Sequence, residues 1–137
     1  MATDASSLLG AQQRVAVRVM AKGSTVKMLT LGSLGIAMAE VSGQQAKVDT
    51  PAFGRVGLLA VTSDEVALVS MAGAITLKPK EVIARVPRDA IIEMQVGGGV
   101  ASTRVVVLFA DQTAWVVEVP KNLAKQARQV AAELGFG

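Results

Sequence analysis

Residues 105–135 read VVVLFADQTAWVVEVPKNLAKQARQVAAELG, and within them the hydropathy period changes from 2 to 3.6. Asp111-Gln112 separates the apolar runs Thr103 to Ala110 and Thr113 to Val119, which predicts an antiparallel hairpin with a two-residue turn. From Pro120 onward, Leu123, Ala127, Val130 and Leu134 recur at spacings of four, three and four. They share one face of a helix, while Lys121, Lys125, Arg128 and Glu133 fall elsewhere. Pro120 suits the first turn, Asn122 can assist the cap and Gly135 suits the C′ position, so the helix is expected from about 120 to 134.

Upstream, short apolar blocks separated by turn residues continue the strand pattern. Val56 to Thr62 and Glu65 to Met71 flank Ser63-Asp64 as a tight hairpin. After Gly73 come a short segment, Ala74 to Leu77, and a strand from Glu81 to Val86, with Lys78-Pro79-Lys80 between them. Pro79 and Pro87 suit an edge, where a missing N–H does least harm. Ala90 to Val96 alternates as a half-buried strand does, and Gly97-Gly98-Gly99 links it to the final hairpin. The expected fold class is therefore α+β: a strongly bent antiparallel sheet or partly open barrel of 6–7 strands, its open end covered by the C-terminal helix.

Three stretches carry a family resemblance: GLLAVTSDEVALVS (57–70), EVIARVPRDAIIEMQV (81–96) and the 105–135 ending. In order and pattern, residues 55–135 resemble a bacterial pleckstrin-homology-like (PH-like) domain, of the superfamily that includes GRAM modules. The resemblance implies a binding or scaffolding module without catalysis, and one prone to assemble into oligomers through strand edges and helices. Phosphoinositide recognition in the family uses Lys and Arg around the first hairpin, whereas here that turn is Ser63-Asp64-Glu65, whose carboxylates repel phosphate. Lys78 and Lys80 are the nearest basic substitute for a ligand loop, with Arg85 and Arg88 further on.

The first 50 residues lie outside that pattern and are expected to form an N-terminal helical extension ahead of a domain at 51–137. Ser6 or Ser7 can cap a helix reaching Ala21, with Leu8, Ala11, Val15 and Val19 on one face. On that helix Arg14, Arg18 and Lys22, four apart, make a basic stripe suited to an anionic surface. A second helix is expected from about Thr25 to Val41. Its apolar positions run nearly all the way round, which makes Val26, Leu29, Leu31, Leu34, Ile36 and Met38 candidates for self-association. The apolar run Met28 to Ala39 is far short of the roughly 20 residues a bilayer span needs.

Composition narrows the chemistry. The 137 residues are 51% hydrophobic and 18% charged, which calls for a packed core. Histidine and cysteine are both absent, removing the usual ligands of zinc, haem and iron–sulfur clusters, the commonest general base and any thiol nucleophile. The net charge of +3 arises entirely before residue 56, where six basic residues face three acidic ones; it is small beside the stripes that bind nucleic acid. Gly97-Gly98-Gly99 has no following Lys-Ser/Thr of a phosphate-binding loop, and Asp64-Glu65 has no visible catalytic partner. The sequence thus points to a cytoplasmic, non-enzymatic interaction module that forms homo-oligomers. It needs no cofactor or metal and binds no nucleic acid; a peripheral membrane module that binds anionic lipid and an unrecognised small enzyme are the alternative readings.

Overall fold

The computed structural model describes residues 4–21, 28–30, 45–73, 76–97 and 102–136. In chain order the elements are α1 (Ser6–Leu9), β1 (Val15–Ala21), β2 (Met28–Thr30), β3 (Gln45–Val48), β4 (Val56–Val61), β5 (Glu65–Ala72), β6 (Lys78–Pro87), β7 (Ile91–Gly97), β8 (Ser102–Phe109), β9 (Thr113–Pro120) and α2 (Ala124–Glu133). Short 3-10 turns at Arg88–Ala90 and Lys121–Leu123 precede β7 and α2.

One open sheet runs β6-β5-β4-β1-β9-β8-β7, antiparallel at every step. The β2–β3 pair joins the same side of β9 that β1 uses, with β3 parallel to it. Along that side of β9 the partners follow one another. Lys47 and Val48 of β3 lie opposite Thr113 and Ala114, Thr50 Oγ1 accepts from Val116 N–H at 2.9 Å, and Ala21 and Met20 of β1 lie opposite Val117 and Glu118. The backbone of β9 is therefore satisfied on this side by three successive segments.

The sheet bends because its two halves share one core. Leu59, Val61, Val66 and Leu68 from β4 and β5 cluster with Val105, Val107, Trp115 and Val117 from β8 and β9. Val17 and Val19 of β1 stand between them, and Ala127, Val130 and Ala131 of α2 close the cluster. Phe109 and Trp115 meet edge to face, with ring centroids 4.9 Å apart. The Phe53 ring lies over Gly57, where an added Cβ would come within 2.5 Å of it, so that close approach requires glycine.

The reverse face of β4 and β5 is apolar too. Leu58, Ala60, Ala67, Val69 and Met71 form a second cluster with Ala5 and Leu9 of the N-terminal segment. Ser6 Oγ accepts from Gln13 N–H at 2.9 Å, Gln13 Oε1 accepts from Ala5 N–H at 3.0 Å, and Arg85 donates to the carbonyls of Leu8 and Leu9. The segment is thus clipped onto its own sheet.

Much of the expected architecture is present: a mostly antiparallel open sheet carrying a C-terminal helix. That helix ends as expected. Gly135 adopts φ +92°, and Phe136 N–H donates to Ala131 O while Gly135 N–H donates to Ala132 O, the two bonds of a Schellman motif. Four expectations are corrected. The described residues hold nine strands: six, β4–β9, lie where 6–7 were expected, and three more, β1–β3, lie in the segment expected to be helical. The helix expected from Ser6 to Ala21 is one turn followed by a strand, because Val15, Val17 and Val19 alternate and pair with β4, while Met20 and Ala21 pair with β9. The second helix is contradicted at Met28–Thr30, a strand paired with β3; Val26, Leu31, Leu34, Ile36 and Met38 lie outside the described residues. The strand expected at Glu81 to Val86 extends to Lys78–Pro87.

Candidate functional site

At the end of the sheet where β4 turns into β5, a polar cleft of about 460 Å³ is lined by Gln12, Gln13, Arg14, Ser63 and Glu133. Glu133, on the last turn of α2, holds two arginines: Arg14 Nε lies 2.9 Å and Arg88 Nη1 3.2 Å from its Oε2. Arg88 also donates to Thr62 O at 3.1 Å and to Glu133 O at 2.5 Å. One guanidinium thereby ties the β4–β5 turn and the β6–β7 connection to the helix end, a use that suits its five fixed donors. Arg85 is likewise structural, joining Glu65 at 3.2 Å to the end of α1. Of the Asp64-Glu65 pair, Glu65 pairs with Arg85, and the backbone carbonyl of Asp64 accepts Arg88 N–H from the β6–β7 connection.

The expected basic stripe does not assemble. Arg14 turns to Glu133, Arg18 sits exposed on β1, and Lys22 lies outside the described residues. Lys121, Lys125 and Arg128 instead follow one another along the exposed side of the C-terminal helical segment, and among the described residues none of them makes an ion pair. The sequence held this signal, since the spacings of four and three place these charges together opposite the buried stripe. Lys78 and Lys80, the candidate ligand loop, are exposed residues of β6.

The two ends of the sheet differ in kind. β6 pairs only with β5 among the described residues, and it carries Pro79, Pro87, Lys78, Lys80 and two register shifts that leave Lys80 and Ile83 unpaired. Prolines, lysines and bulges are the devices by which sheet edges resist pairing with other chains. β7, at the other end, pairs only with β8 among the described residues and has neither proline nor lysine. It bears Ile92, which is 37% exposed and sits in a register shift between Ile91 and Glu93. Only Leu8, at 38%, is comparably exposed among the large apolar side chains described.

Two carboxylates on turns are held below the usual aspartate range. The Ser6 hydroxyl and N–H do this for Asp4, and the Thr113 hydroxyl and N–H do it for Asp111. Both are turn-forming contacts. No helix among the described residues is long and apolar enough to cross a membrane. No protein-family model, curated protein or solved structure matches the chain.

Proposed function

We propose that this chain is a non-enzymatic, cytoplasmic interaction module of PH-like fold that associates with copies of itself through an edge of its sheet. The PH-like assignment is supported by strand order. β1-β4-β5-β6 make one half and β7-β8-β9 the other, β1 bridges both, and α2 covers the shared core. In that frame the first strand is β1, and β2 and β3 lie between the first and second strands. The observation that carries self-association is the contrast between edge β6, with two prolines, two lysines and two register shifts, and edge β7, with neither proline nor lysine, a single register shift and an exposed Ile92.

Light scattering on the full chain across a concentration series tests this. A mass rising above 14.1 kDa, and returning to it in Ile92→Lys, is the expected result. A wild-type chain that stays monomeric at high micromolar concentration removes the proposal.

A second reading rests on the charges of Lys121, Lys125 and Arg128, exposed and without an ion pair among the described residues, which fit an anionic membrane surface. Attraction of ~1 kcal/mol per charge gives weak, salt-sensitive docking. Co-sedimentation with phosphatidylserine vesicles at low salt, reduced in Lys125→Glu/Arg128→Glu, is its expected sign; no binding at low salt excludes it.

A further inference from the structure

On the side of β7 that pairs with no strand among the described residues, a side chain stands where a neighbouring strand would be. Met94 N–H donates to Oε1 of Glu93 at 3.0 Å. A backbone amide carries one hydrogen, so this bond turns the Met94 N–H away from β8, its only strand partner among the described residues. The Glu93 carboxylate thus supplies the acceptor that the carbonyl of an added strand would offer.

Resting on the self-association reading above, we propose that the occupant of this edge is the β7 strand of a second copy, paired antiparallel about Met94, and that Glu93 is the gate it displaces. A two-fold axis at Met94 aligns all of Ile91–Gly97 with the same strand in the partner. Each Met94 N–H then donates to the Met94 carbonyl of the other copy in a hydrogen-bonded pair. Ile92 is set opposite the partner's Val96, which covers its exposed surface, and Glu93 opposite the partner's Gln95, so no like charges face each other. An axis at Glu93 would bring two carboxylates together. Because each copy must first release its own Glu93–Met94 bond, the association is weaker than the edge alone would give.

Sedimentation equilibrium of the full chain, with hydrogen exchange read at Met94, tests both seam and gate. Glu93→Ala is expected to tighten the dimer by about tenfold, as two gating bonds no longer compete. Glu93→Gln is expected to fall between Ala and wild type, since a neutral amide oxygen accepts more weakly than a carboxylate. The Met94 amide should become protected as the mass doubles. If the wild type dimerises but Glu93→Ala is no tighter, or Glu93→Gln equals Glu93→Ala, the gate is overturned while the self-association reading stands. Dimers with an unprotected Met94 amide overturn the seam. A chain that stays monomeric in every variant overturns the reading on which both rest.

Discussion

Arg88 does more to hold distant elements together than any other polar residue described. Its guanidinium reaches the carbonyls of Thr62 and Glu133 and the Glu133 carboxylate, and its side chain is 26% exposed. Removing it leaves partly buried carbonyls and a carboxylate short of donors, so Arg88→Ala should lower stability by about 2–3 kcal/mol in urea unfolding. Arg88→Lys should recover little of this, because one ammonium cannot reproduce the planar fork. A loss below about 0.5 kcal/mol would show that Glu133 and the β4–β5 turn hold without it. The carboxylates of Asp4 and Asp111 follow the usual sign: their folded-state depression adds stability above the ordinary aspartate range, which is lost as the pH falls from that range through their lowered folded-state values.

Among the elements, those built from neighbouring residues were legible in the sequence. The β4–β5 and β8–β9 hairpins and α2 each carry their own turn or cap chemistry, Ser63-Asp64, Asp111-Gln112 and Gly135, beside an unambiguous period. β1 was not legible. Val15 and Val19, and likewise Arg14 and Arg18, are four apart, a spacing that suits one helix face and one strand face equally. Val17 between them breaks the tie toward a strand, but the deciding partners, β4 and β9, are distant in sequence. The candidate site was less legible still. Proline and lysine on β6 marked an edge, yet nothing local says that β7 is the opposite end or that Glu93 turns to the amide of Met94. The Arg14–Glu133–Arg88 cluster likewise joins residues from three parts of the chain, and only the folded topology brings them together.

At the scale of the molecule, the shared core makes residues on either side of position 50 interdependent. Val17 and Val19, 2% and 0% exposed, pack among the strands of both halves, and Ala5 and Leu9 cover the reverse face of β4 and β5. Expressed alone, residues 51–137 would lose β1, the strand joining β4 to β9. The expected outcome is loss of cooperative thermal unfolding, seen in the fluorescence of Trp115, the sole tryptophan and 5% exposed in the intact fold. A fragment that melts sharply with a native-like Trp115 emission would instead establish an autonomous unit.

The pairing of Met20 with Glu118 sets an order of events during synthesis. β1 leaves the ribosome early, yet one of its two neighbours cannot exist until translation has passed Pro120. Until then the valines of β1 have β4 to pair with but lack the part of their core that β8 and β9 supply. Closure must also wait on a wide loop, which places refolding among the slower small domains, in milliseconds to seconds.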